Sequence, residues 1–167
     1  MPGLNLTRDE AIERAGIIKR VHTYRVDLDL RTDKDVFSSI VEIRFDAEPG
    51  ASTFIDAITS QVNSIELNGE RIALPNLAAQ NVLKIDAEMF YTNTGEGLHR
   101  FVDPADGEIY LYSQFEVPDS RRVFPVFEQP DLKAEFEFSV RVPSHWVVVS
   151  NQPEVKIEPK DCGCGRA

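Results

Sequence analysis

From Ala134 to Val142 the chain alternates without a break. Ala134, Phe136, Phe138, Val140 and Val142 take one phase; Glu135, Glu137, Ser139 and Arg141 take the other. A period of two sends one set to each face of an extended strand, and no helix can segregate it. The pattern recurs upstream. Tyr24, Val26, Leu28 and Leu30 alternate with Arg25, Asp27, Asp29 and Arg31. Phe37, Ser39, Val41, Ile43 and Phe45 share a phase against Ser38, Glu42, Arg44 and Asp46. Each reads as a half-buried strand with one wet face. Thr32-Asp33-Lys34-Asp35 supplies the turn that makes the second and third an antiparallel hairpin.

The remaining signals agree. Thr53 to Asp56 reads as a short strand and Val62 to Leu67 as another. Asn68-Gly69 follows, and both residues tolerate the positive φ of a tight hairpin turn. Arg71 to Leu74 is the return strand. Val82 to Tyr91 is a strand with Leu83, Ile85 and Met89 inward and Ala87 in the same phase. Tyr91 to Asp106 reads as a long polar loop with two glycines. Ile109 to Glu116 is a strand whose inward face is either Ile109 and Leu111 or Tyr110, Tyr112 and Gln114. Trp146 to Val149 closes the set as an apolar strand after Pro143-Ser144-His145. About eight or nine short strands with hairpin-length links predict an all-β, saddle-like antiparallel sandwich. One helix is expected, from Arg8 to about Ile18, opened by the capping box Thr7-Arg8-Asp9-Glu10 and carrying Ala11, Ile12, Ala15 and Ile18 at helical spacing. The resulting division is a helical segment over 1–20, a β-sandwich over 21–151 and a loose or truncated tail over 152–167.

Function is first bounded by what is excluded. The net charge of −10 makes nucleic acid a poor partner, since phosphate binding needs a basic patch. A solvated acidic surface accounts for the charge, and attraction of cationic ligands such as free amines is the functional alternative. The apolar runs fall far short of a bilayer span, so no membrane partner is expected. The start has no basic flank and no apolar core, which predicts a cytoplasmic chain. Cys162 and Cys164 lie one residue apart near the end, too close and too few for a disulfide framework or a zinc knuckle. His22, His99 and His145 form no HExxH pair, so no metal site is expected. His99 reads best as a loop residue bonded to backbone. No GxSxG and no phosphate-binding glycine loop occurs; Gly95-Glu96-Gly97 is too short for one.

One stretch stands apart. Tyr110 to Pro130, YLYSQFEVPDSRRVFPVFEQP, packs a glutamine, carboxylates and an arginine pair between aromatics and prolines. Such a mixture marks either a buried polar corner or a wall of a binding site. Gln114 and Glu116 lie two apart on a strand and share a face. A carboxylate beside an amide oxygen holds a cation well, and a peptide α-amine fits. The alternative is that Glu116 pairs with Arg121 or Arg122 as structural support.

The run TGEGLHRFVDPADGEIYLYSQFEVPDSRRVFPVFEQPDLKAEFEFSV resembles the amino-terminal domain of zinc aminopeptidases of the aminopeptidase N type, actinobacterial members above all. The resemblance extends from Leu6 to about Asn151. It implies a saddle-shaped β domain that packs on a catalytic domain, in an enzyme that removes single residues from peptide N-termini. It implies that Gln114 lines the pocket for the first side chain and that Glu116 binds the α-amine. Arg121, Arg122, Phe124, Pro125 and Pro130 are then structural. The sequence departs from the family in lacking the GxMEN motif and the zinc-binding HExxH. It has Val126 and Glu128 where the family often has cysteine and aspartate, and the link after Asn68-Gly69 is shorter. The resemblance therefore implies no cofactor in this chain, zinc in the missing catalytic domain, and no activity alone. A free-standing module that grips peptide amino termini or a partner protein is the competing reading.

Overall fold

A computed structural model describes residues 5–31, 35–71 and 76–157. It is an all-β fold with one helix, as the periodicities predict. Helix α1 (Arg8–Ile17) starts at the expected capping box: Thr7 Oγ1 accepts from Glu10 N at 3.3 Å, and Glu10 Oε2 accepts from Thr7 N at 2.8 Å. The bond from Thr7 N, joined by one from the Thr7 hydroxyl to the same Glu10 oxygen at 2.8 Å, pulls the Glu10 carboxyl below its ordinary value. The strands are β1 (Ile18–Asp29), β2 (Val36–Ala47), β3 (Thr59–Leu67), β4 (Glu70–Arg71), β5 (Gln80–Phe90), β6 (Gly97–Val102), β7 (Ile109–Gln114) and β8 (Glu135–Arg141). Six form one sheet in the order β4-β3-β5-β2-β1-β8, and β6 and β7 form a separate antiparallel pair.

The central strands follow their sequence pattern closely. Phe37, Ser39, Val41, Ile43 and Phe45 of β2 are all fully buried, as are Leu83, Ala87 and Met89 of β5. In β1 the buried residues run Ile18, Val21, Tyr24 and then every second residue. Two register shifts against β2, between Ile18 and Arg20 and between Val21 and Thr23, account for the early threefold spacing. Asn68 (φ 54°) and Gly69 (φ 87°) both take the left-handed conformation that a tight hairpin between β3 and β4 demands.

Four expectations are corrected. The segment after Tyr91 is not all loop, because β6 pairs with β7 from Gly97–Gln114 to Val102–Ile109. Thr53 to Asp56 makes no strand; only Asp56 joins a bridge, to Val126. Trp146 to Val149 has the composition of a strand but pairs with nothing among the described residues, and Val147 and Val149 are exposed. The main sheet is also not wholly antiparallel: β8 runs parallel to β1, with Tyr24 opposite Phe136 and Val26 opposite Phe138. The turn residues 32–34, most of the expected return strand (72–74) and Cys162 and Cys164 lie outside the described residues.

The helix also inverts the face expected of it. Ile12 is 61% exposed, whereas Arg14 is 1% exposed. Acceptors from distant parts of the chain draw Arg14 inward, and those acceptors organise the site.

Candidate functional site

The stretch from Tyr110 to Pro130 divides into a closed half and an open half. The closed half is the segment 123–129, buried throughout. It lies across β1 and β2: Phe127 meets Phe45 edge to face at 5.2 Å, and Phe127 N donates to the Tyr24 hydroxyl at 3.1 Å. Burial is the main cause that raises the Tyr24 phenol far above its ordinary value, so that hydroxyl stays neutral.

Charges fasten the segment down. Arg14 Nη1 donates to Asp56 Oδ2 at 2.6 Å, and Arg14 Nε donates to Gln129 Oε1 at 3.0 Å. Gln129 Nε2 donates to the carbonyl of Ala11 at 3.1 Å. Asp56 Oδ2 also accepts from Glu128 N at 3.0 Å. Glu128 Oε2 in turn accepts from Ser120 Oγ at 2.6 Å and from Arg121 N at 2.8 Å. The Arg14 guanidinium lies 4.6 Å from the centre of the Phe54 ring, which covers it with a π face. The polar-corner reading of this half thus holds, with two members, Arg14 and Asp56, that sequence spacing could not supply.

The open half carries Gln114 and Glu116. Gln114 ends β7 and is half-buried; Glu116, just beyond, is exposed. Both ends of the Gln114 amide are satisfied in one orientation: its nitrogen donates to Asp119 Oδ2 at 3.1 Å and its oxygen accepts from Glu116 N at 3.3 Å. The amide atom facing the Glu116 carboxylate, 3.5 Å from Oε2, is then the oxygen. Two acceptors facing each other at that distance suit an ammonium, which would reach both at about 2.8 Å. The alternative pairing of Glu116 is not formed. Arg122 donates to Asp119 Oδ1 at 2.9 Å and meets Glu96 at 3.3 Å. Arg121 turns to Asn5 Oδ1. Among the described residues Glu116 has no ion pair.

The hairpin β6–β7 props this half. His99 lies on β6, stacks on Tyr112 with ring centres 4.7 Å apart, and accepts from Gly95 N through Nδ1 at 3.1 Å. It is a backbone-bonded histidine, as read, but on a strand and not in a loop. His22 meets Asp46 at 2.9 Å and His145 lies 3.9 Å from Glu108. Among the described residues no three His, Cys, Asp or Glu side chains group as metal ligands, so this part of the molecule does not fit a zinc ion. No helix among them is long and apolar enough to cross a membrane.

Residues 21–164 match the peptidase M1 N-terminal domain. This chain belongs to that family. It is 51% identical to an aminopeptidase N of Streptomyces lividans over 96% of its own length and 20% of the relative's. It is 24% identical to a probable aminopeptidase 1 of Sulfurisphaera tokodaii over 82% of its length and 18% of that protein's. The chain thus spans about a fifth of the curated relatives it matches. Native yeast LTA4 hydrolase shares the fold, with a TM-score of 0.61 and 19% identity over 72% of this chain and 22% of that one.

Proposed function

We propose that this M1 N-terminal domain anchors the free amino end of a peptide substrate in a zinc aminopeptidase that removes N-terminal residues. One observation carries the reading: the Gln114 amide oxygen and the Glu116 carboxylate face each other at 3.5 Å, and no cationic side chain among the described residues pairs with Glu116. Glu116 supplies charge for the α-amine, and Gln114 adds an acceptor and borders the first side chain. The zinc and the groups that activate water belong to a catalytic domain outside this chain, so the chain alone binds and orients but does not hydrolyse. That domain is the second partner. It is supported by the relatives' length and by apolar side chains, Phe136 and Phe138 among them, left half-exposed on the sheet.

Calorimetry with trialanine and N-acetyl-trialanine tests the anchoring role. The free-amine peptide should bind at millimolar concentration and up to about fivefold more tightly than the acetylated one, because an exposed ion pair contributes no more than about 1 kcal/mol. Glu116→Gln should remove the difference. Equal binding of both peptides to the wild type would refute an amine site.

A further inference from the structure

We infer that Asp119 is the positioning residue of the amine site: its carboxylate decides which end of the Gln114 amide faces Glu116. The inference rests on the amine-anchoring reading above and adds to it a residue that touches no substrate.

An amide has a donor end and an acceptor end of nearly the same shape, so its orientation is set only by its neighbours. Two neighbours set it here: the Glu116 N–H, which donates to the oxygen at 3.3 Å, and the side chain of Asp119, which is 15% exposed. Its Oδ1 accepts from Arg122 Nε at 2.9 Å, and its Oδ2 takes the Gln114 amide nitrogen at 3.1 Å. With the nitrogen so engaged, the oxygen is presented to Glu116. In the opposite orientation the oxygen would face Asp119 Oδ2, acceptor against acceptor, and the nitrogen would point at Glu116. It would then put N–H groups where an ammonium must donate. Asp119 thereby keeps the carboxylate of Glu116 from being satisfied internally.

Asp119 is itself held on two sides. Its backbone N–H donates to the carbonyl of Glu116 at 2.9 Å, which ties it to the strand end it serves. Arg122 is held at the far side by Glu96 at 3.3 Å and lies against Gly97, where a Cβ would stand 2.7 Å from Arg122 Cβ. Gly97 is in turn the β-partner of Gln114. The ring therefore closes on the residue it orients.

The chemistry gives an order of variants that a merely structural role would reverse. Arg122 and Gln114 each bring a donor to Asp119, and only a carboxylate offers an acceptor to both. Asp119→Asn keeps the shape but has one acceptor oxygen. When that oxygen serves Arg122, the new NH₂ faces Gln114 and turns its amide, nitrogen toward Glu116. Asp119→Ala removes the constraint without imposing the wrong orientation.

The test titrates alaninamide into the 167-residue chain and follows the side-chain amide signals of Gln114 by NMR, with the core amides of Val41, Ile43 and Leu83 as a check on folding. Affinity should fall in the order wild type, Asp119→Ala, Asp119→Asn, the last by about fivefold or more. The Gln114 signals should move in both variants. Asp119→Asn binding as well as wild type, or better than Asp119→Ala, overturns the proposal. Unchanged Gln114 signals in Asp119→Asn overturn it as well. If the wild type takes up no alaninamide while the Gln114 signals still move in the variants, the amine site fails and the orienting role of Asp119 stands.

Discussion

Strands β1 and β8 are neighbours in one sheet, in parallel register, with aromatic residues on the same face. Their burial is nonetheless opposite. Tyr24 is 1% exposed and its partner Phe136 is 46%; Val26 is 1% exposed and its partner Phe138 is 48%. The two rings of the first pair even stack, at 4.7 Å and nearly parallel. The difference lies in what covers them. The segment 123–129, fastened by Arg14, Asp56 and Gln129, lies over β1 and β2 and meets β8 through the Phe124 ring, which leaves Phe136 and Phe138 half-exposed. Most of the exposed large hydrophobics lie between Phe101 and Ile157. Alternation in a sequence therefore marks the face a strand turns inward, but a second layer decides whether that face becomes core.

The largest effect should come from unfastening the cover. Arg14→Ala leaves the half-buried Asp56 without its cation, and it also strips Gln129 of a donor. Breaking a buried pair in this way costs about 3–5 kcal/mol, a large share of a small domain's stability. A urea titration reads it as a lowered midpoint. Arg14→Lys should recover little, since a single ammonium cannot serve Asp56 and Gln129 together as the guanidinium fork does. A midpoint within error of wild type would mean that the cover is held by its aromatics alone.

That fastening also shows what sequence reading can and cannot reach. The hairpin of β1 and β2, the Asn68-Gly69 turn and the capping box are local, and each was legible because a few adjacent residues settle it. Gln114 and Glu116 were legible as a pair for the same reason: two residues apart on a strand means one face. Arg14 was not. Its bonds run to Gln129 and Asp56, far off in sequence, and on a short helix an arginine gives no sign that it points inward. Asp119 was hidden among the many carboxylates of an acidic chain. Strand β6 was masked by Gly95 and Gly97, which read as loop residues, although Leu98 at its start is buried against the core. Trp146 to Val149 misled in the other direction, being apolar enough for a strand but without a partner strand among the described residues.

The next effect in size falls where the covered and open regions meet. Gly97 has φ +63°, and a Cβ there would press on Arg122 at 2.7 Å. Gly97→Ala should cost about 1–3 kcal/mol from the left-handed backbone and the clash together. Because Arg122 holds Asp119, the same change should weaken alaninamide binding more than the loss of stability explains, when both are measured on the folded fraction. A loss of stability with affinity intact would separate the hairpin from the site and confine its role to scaffolding.

The smallest effect, that of Phe138, is the most direct probe of the comparison when set beside Phe124. Phe124 and Phe138 face each other, ring centres 5.7 Å apart, yet Phe124 is 2% exposed and Phe138 is half-exposed. Phe124→Ala should cost about 3–5 kcal/mol, the usual figure for an aromatic removed from a packed core. Phe138→Ser should cost about 1 kcal/mol or less, because half of that ring is already in water and what it loses is its contact with Phe124 and a long stacked contact with Phe136. Thermal unfolding of the two variants side by side measures the contrast. In a longer polypeptide whose catalytic domain covers β8, the Phe138 penalty should rise toward that of Phe124, while the Phe124 penalty stays where it is. Equal penalties already in the 167-residue chain would mean that β8 is core after all; a Phe138 penalty that does not grow with the longer chain would place the partner on another face.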